Sequence, residues 1–323
     1  MKTERIVAED LSGVQRFGSC YTIPPVPPLE CVPNLSEGRR PDVVARLAAA
    51  AASPPEVRLL DVSSDPDHNR SVLTLAGDAE GLFQGLLALY EVALAEIDLT
   101  RHQGVHPRVG AVDVVPFVPL GDTPMEAAVA AAERLGAEVA RRFDLPVYLY
   151  ERAARTPERT ALATIRRGQF EGFPARMADP LWAPDFGPAR VHPTAGVTVV
   201  GARFFLIAFN AVLDTPDVAV ARAVASRVRE SGGGLPAVRA MGVYLASRDR
   251  AQVSMNLVDF RRTPVLRVLG RVREEAAALG ARVVESELIG LMPEEAALGV
   301  ARDALLLPTI PAVIEERLGR TIP

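Results

Sequence analysis

Lysine is almost missing from this chain: of 36 lysines and arginines, only Lys2 is a lysine. A side chain at the second position is poorly placed to be held in a buried pocket, so Schiff-base catalysis is set aside. The surplus of arginine reads as a GC-rich coding bias rather than a chemical demand for guanidinium. Cysteine is equally scarce. Cys20 and Cys31 allow at most one bridge near the amino end, which excludes a disulfide-held secreted scaffold and fits a reducing cytoplasm. Cys31 is expected to be a buried structural thiol. No apolar run reaches spanning length, and Glu4, Arg5, Glu9 and Asp10 break up any signal-peptide core, so a soluble protein without a membrane partner is expected. A net charge of −4 with 24% charged residues offers neither a globally basic surface for nucleic acid nor a polyacidic tail. No G-x-G-x-x-G follows the first strand, and Ser231-Gly232-Gly233-Gly234 lacks the lysine and hydroxyl of a phosphate loop.

What is present is apolar. A hydrophobic content of 49% over 323 residues supplies the core of one large domain or two medium ones. Residues 1–28 show no sustained period and end in Pro24-Pro25-Val26-Pro27-Pro28, which predicts an extended tail. The spacing then predicts a strand over 29–32, a helix over 42–52, strands over 57–62 and 71–76, and a strand over 109–117. Between the last two, Leu82, Leu86, Leu89, Ala93 and Ile97 recur every three or four residues and mark the buried face of a helix. Thr123-Pro124-Met125-Glu126 reads as a capping box with proline at the first helical position, opening a helix whose inner face is Ala128, Ala132, Leu135, Val139 and Phe143. Residues 147–150 form a further strand.

The order β-α-β-β-α-β is that of a ferredoxin-like domain, with an added helix and strand. It repeats beyond residue 197: strand-like runs over 197–212, a helix over 216–229, a hairpin of 238–246 and 252–260, a helix over 264–279, a strand over 282–289, and closing helices. The expected fold is therefore α/β (α+β), two βαββαβ subdomains over 29–200 and 201–323 with helices packed on mainly antiparallel sheets. Residues 151–196 are too long for a passive connector and are expected to line a site.

The densest polar cluster is the run from His102 to Asp113. Histidines four apart suit a metal on a helix, but Gly104 and Pro107 argue against a helix there, and no carboxylate or cysteine completes a ligand set. A general acid or base is favoured instead, because imidazole titrates near neutrality without perturbation; histidines satisfied by backbone are the plain alternative. Asp65-Pro66-Asp67-His68-Asn69-Arg70 suits a tight hairpin, with Arg70 able to bind a carboxylate. Gly187-Pro188-Ala189-Arg190-Val191-His192-Pro193-Thr194-Ala195-Gly196, near Trp182 and Phe186, suits a flat heterocycle held by backbone and aromatic faces.

Taken in order, Glu30 to Gly38, Asp67 to Val72, His102 to Asp113, Gly187 to Gly196, and Asn256 within Val253 to Leu257 resemble the glutamate formimidoyltransferase family over about Leu29 to Leu318. The resemblance implies two α/β subdomains, a homodimer, and transfer of a formimidoyl group between N-formimidoyl-L-glutamate and tetrahydrofolate in histidine catabolism. It implies the form without the helical cyclodeaminase that follows in bifunctional relatives. His106 then takes the place of the catalytic histidine, the second of the His-x-x-x-His-Pro-Arg run, and Gly187 to Gly196 that of the folate-binding stretch. Asn34, Asn69, Arg70, His102 and Arg108 are expected around the substrate, with Arg70 and Arg108 holding carboxylates. Tetrahydrofolate enters as co-substrate and no metal is required. Some members carry Asp-x-Asp after the second strand; this chain has Asp61-Val62-Ser63, which leaves Asp65 as the acid able to orient the histidine. The rival readings are a 5-formyltetrahydrofolate cyclo-ligase-type activity, a non-catalytic folate-binding protein, and an amidine hydrolase acting without folate.

Overall fold

The first strand is broken in two by a proline. In the computed structural model, which describes residues 28–297, β1 (Leu29–Cys31) and β2 (Asn34–Leu35) lie end to end between β4 (Arg70–Gly77) and β5 (Val112–Pro119), antiparallel to both. Pro33 lacks the N–H a ladder needs, yet its carbonyl accepts from Leu73 N at 3.1 Å and Val32 N donates to Pro116 O at 3.1 Å, so pairing carries across the break. With α1 (Pro41–Ala51), β3 (Arg58–Asp65) and α2 (Ala79–Glu96), the strands stand in the order β3, β4, β1 with β2, β5. That is the expected split βαβ arrangement.

The added elements extend this sheet. α3 (Met125–Phe143) leads to β6 (Val147–Glu151), and β7 (Thr198–Ala202) inserts between β5 and β6, parallel to each. Leu82, Leu86, Leu89 and Ala93 of α2, and Ala128, Ala132, Leu135 and Val139 of α3, are buried in one core with α1 and the sheet. The other sheet face is covered by the long connection, which is not a loop. It holds α4 (Leu162–Ile165), α5 (Gln169–Met177) and two 3-10 turns, packing Ile165, Phe173, Met177 and Trp182 on Tyr148, Tyr150, Val114 and Val199. Arg159, buried there, pairs with buried Asp185 at 2.9 Å and donates to Leu181 O and Ala183 O.

β8 (Ile207–Leu213), α6 (Val218–Val228), β9 (Val238–Leu245), β10 (Arg250–Leu257), α7 (Val265–Ala277) and β11 (Val283–Ile289) repeat the order in a separate antiparallel sheet, β11-β8-β10-β9, followed by the short α8 (Glu294–Ala297). Alternate residues Ile207, Phe209, Ala211 and Leu213 of β8, with Ala251, Val253 and Met255 of β10, meet α6 and α7 in the second core.

Three expectations change. The run 197–212 is two strands in two different sheets, so the expected division after residue 200 falls inside β7; the sheets part between Ala202 and Ile207, because β7 is hydrogen-bonded to β5 and β6. The capping box does not form: Pro124 is the N-cap and makes no side-chain cap bond, since the Thr123 hydroxyl donates to Pro28 O at 3.1 Å. Pro28 itself, assigned to the tail, is tied in through that bond and Leu120 N. The rest of the tail with Cys20, and the closing helices after residue 297, lie outside the described residues.

Phe209 is fully buried in the second core. Phe209→Ala is expected to cost about 3–5 kcal/mol in denaturant unfolding. A loss under about 1 kcal/mol would mean the second core is not packed as described.

Candidate functional site

Residues 102–108 lie across the tip of the β3–β4 hairpin. Val105 N donates to Asp67 O at 3.1 Å, and Asn69, in the left-handed region at φ 48°, donates through Nδ2 to Gln103 O at 3.0 Å. Asn69 Oδ1 accepts from Gly38 N at 3.0 Å, so one amide ties together β2's exit, the hairpin and the loop. A Cβ at Gly104 would stand 2.3 Å from His68 O, so no other residue allows this approach. The result is a small cavity lined by Leu35, Ser36, His68, Asn69, Arg70, His102, His106, Arg108 and Asp113.

Within it the two histidines of the loop differ. His102 Nε2 bonds to Asn69 O at 2.8 Å and its Nδ1 accepts from Arg108 Nε at 3.1 Å. Both ring nitrogens are engaged by the protein, which fixes one neutral tautomer and gives His102 a structural place. His106 is half-buried, and its nitrogens face only Arg70 Nη1, at 3.3 and 3.5 Å. Its ring stacks on that of His68 with centroids 5.9 Å apart and planes 28° from parallel. Burial first, then the charges of Arg70 and Arg166, holds His106 well below the ordinary imidazole range. The shift favours the neutral ring.

The arginines differ in the same way. Arg108 donates to His102, Gln169 and, as a fork, to both oxygens of Glu171 at 2.7 and 2.9 Å. Its guanidinium is already committed, so it stands as a brace between the loop and α5, not as a free carboxylate clamp. Arg166 of the long connection pairs with buried Asp113, whose other oxygen caps Val109 N at 2.7 Å and Gly110 N at 3.3 Å. Arg70 makes no ion pair with a described carboxylate; burial, then Arg166, pulls it down to about 10. A half-buried guanidinium with no ion pair to a described carboxylate suits an anion.

The second subdomain closes the region from its polar sheet face. Glu287 of β11 accepts from Asn210 of β8 at 3.2 Å, is pushed up by burial, and senses Asp65 and Arg70. Ser247 N donates to Asp67 at 3.1 Å, and Arg239 pairs with Glu151 at 2.9 Å. Asp65 accepts from His68 N at 2.8 Å and makes no bond to His106, so the orienting role expected for it is not seen here.

Asn69, Arg70, His102, His106 and Arg108 are thus brought together. Asn34 is not: its amide turns back to Val32 O at 3.0 Å. Gly187 to Gly196 supplies no wall of the cavity and adjoins it through backbone. Ala111 N donates to Ala195 O at 2.9 Å, and Gly196, at φ 74°, bridges to Gly110. His192 Nδ1 accepts from Ala195 N at 3.0 Å and Arg190 pairs with Asp144 on the surface. Sequence reasoning passed over His68, assigned only to a turn, and Arg166, Glu171, Asn210 and Glu287, whose place depends on pairings across 53 to 77 residues that no local pattern carries. Among the described residues, no group of three or more His, Cys, Asp or Glu side chains gathers as a metal site, and no helix is long and apolar enough to cross a membrane.

Paired ferredoxin-like subdomains with an imidazole and a guanidinium at their junction, neither ion-paired to a described carboxylate, define the class of two-subdomain α/β proteins with a polar site between their sheets. Family models match the chain in the same two parts: the N-terminal subdomain of the formiminotransferase domain over residues 28–203, and the formiminotransferase domain over 208–306. A glutamate formimidoyltransferase of Streptococcus pyogenes serotype M1 is 45% identical over 84% of this chain and 91% of its own, and one of Thermoplasma acidophilum is 44% identical over 86% and 92%. The formimidoyltransferase-cyclodeaminase of Mus musculus is 42% identical over 84% of this chain and 51% of its own length. The chain belongs to the formiminotransferase family.

All four histidines are held below the ordinary value of 6.5, each chiefly by burial. Between that value and the lowered ones the unfolded chain binds more protons than the folded one, so stability present above about pH 6.5 is lost as the pH falls. Thermal melts are expected to drop between about pH 7 and pH 5, with a shallower drop in His106→Ala. A melting temperature unchanged over that span would contradict the buried neutral imidazoles.

Proposed function

We propose that this enzyme moves a formimidoyl group between N-formimidoyl-L-glutamate and tetrahydrofolate, giving 5-formimidoyltetrahydrofolate and L-glutamate, a one-carbon step in histidine catabolism. The observation that supports this chemistry is His106, neutral and unbound by any carboxylate, beside the unpaired Arg70. The family resemblance supplies the substrates.

Transfer requires one amine to add to the amidine carbon and the other to leave. A C–N bond forms, the incoming nitrogen gives its proton to His106, and a tetrahedral carbon results. The proton then passes from the imidazolium to the departing nitrogen as the second C–N bond breaks, so no net acid or base is consumed. Arg70 holds a substrate carboxylate. That negative charge offsets the guanidinium's effect on His106 and raises the imidazole toward neutrality in the complex, where it must carry a proton for part of the cycle. Gly187 to Gly196, next to the cavity through the Gly110–Gly196 pairing, is assigned to folate on the resemblance. Tetrahydrofolate is a co-substrate here, and the scheme needs no metal.

His106→Ala is expected to lower turnover by roughly two to four orders of magnitude with little change in folate affinity, in a steady-state assay of formimidoylglutamate and tetrahydrofolate. His102→Ala should lower it less. Since the free-enzyme pKa of His106 is depressed and the base must be neutral, kcat/KM should hold at neutral pH and fall only below about pH 6.5, with the kcat limb nearer neutrality. Near-normal turnover in His106→Ala would remove the histidine from the mechanism.

We infer further that the enzyme works in the cytoplasm as a homodimer through its second subdomain, two-fold dimers being the commonest assembly of soluble chains. Light scattering at micromolar concentration should return twice the chain mass, and the mass of a single chain would overturn this.

A further inference from the structure

Gln252 lies on β10, a central strand of the second sheet, paired to Val212 on one side and Val243 on the other. Its neighbours Ala251 and Val253 point into the core with α6 and α7, so alternation turns Gln252 to the opposite face, toward the first subdomain. There it is fully buried, and neither its carboxamide oxygen nor its nitrogen has a hydrogen-bond partner. Beside it lies the ring of His68, 3% exposed, neither of whose nitrogens makes a hydrogen bond of full geometry, and Gln252 is the polar side chain close enough to act on it. Buried polar atoms left unpaired are costly, and nearly all such atoms in proteins find partners. Here two groups able to satisfy one another stand together across the subdomain junction, beside the apolar cluster of Val212, Val243 and Leu245.

His68 is also the group on which His106 rests, ring against ring. We propose that Gln252 is a positioning residue for the transfer reaction, acting from the second subdomain through His68 to fix the ring plane of His106. The inference rests on His106 being the proton shuttle. A carboxamide carries both donor and acceptor, so by turning over it complements whichever tautomer His68 adopts. The backbone of His68 is already held by Asp65 and by the approach of Gly104, which leaves rotation of the ring as its remaining freedom. With that rotation checked, the stacked His106 ring stays in the plane from which it reaches the reacting amines, and small losses of such alignment cost large factors in rate.

The test is Gln252→Leu, with the unbranched, similarly sized Gln252→Met as a second variant should leucine impair folding. A positioning role predicts a roughly ten- to hundredfold fall in kcat with KM for both substrates within about twofold. Because the substitution leaves the buried His68 ring without its polar partner, a melting temperature lower by a few degrees is expected, and it is the fall in kcat at constant KM that a merely structural residue would not give. In a His106→Ala background the same substitution should produce no further fall. Unchanged kcat in either folded variant would overturn the proposal, as would a fall in kcat accompanied by a comparable rise in KM. An equal fall in the His106→Ala background would show that Gln252 acts elsewhere, leaving the shuttle assignment intact. Near-normal turnover in His106→Ala alone would fail the shuttle and this inference together, and is read separately from the Gln252 variants.

Discussion

The seating of residues 102–108 on the β3–β4 hairpin is the constraint from which the site follows. Gly104 lets the loop touch the backbone of His68, Asn69 in the left-handed region bonds to both sides, and Val105 N closes on Asp67 O. These contacts are mainly backbone to backbone or amide to backbone. They leave the side chains at 68, 70 and 106 free to meet in the cavity rather than being used up in holding the loop.

Charge is distributed there by subtraction. The region carries Arg70, Arg108 and Arg166, but Glu171 takes up Arg108 and Asp113 takes up Arg166. Both acids do structural work as well, Asp113 capping two backbone N–H groups and Glu171 joining α5 to the loop. Arg70 is the remainder, and burial together with its field holds His106 below the ordinary imidazole range. In the proposed reaction the cation that favours the neutral imidazole is also the one that would receive an anionic substrate.

The two subdomains share a topology and divide the labour. The first holds the loop, the hairpin and the long connection; the second brings a polar sheet face bearing Asn210, Gln252 and Glu287. Alternation along β8 and β10 separates that face from the core residues Phe209, Ala211 and Val253, so the same strands build a hydrophobic core on one side and a site wall on the other.

Local periodicity determined most of the element order. Three- and four-residue spacing at Leu82, Leu86, Leu89 and Ala93, and at Ala128, Ala132, Leu135 and Val139, marked helix faces that are indeed buried, because a helix must turn its apolar stripe to the core whatever it packs against. The histidine and glycine content of 102–110 marked the loop for chemistry. Strand partnership was not legible: Thr198–Ala202 and Ile207–Leu213 look alike in composition, and only hydrogen bonding to β5 and β6 or to β10 and β11 assigns them to different sheets. The same holds for the cap at Thr123, drawn off by a carbonyl 95 residues away. Residue chemistry alone did not rank Arg70 against Arg108 or His102 against His106, and it was the family resemblance that singled out His106. Which arginine stays unpaired and which histidine keeps its nitrogens free was decided by Glu171, Asp113 and Asn69, because a side chain's protonation and availability depend on the groups that tertiary packing places around it.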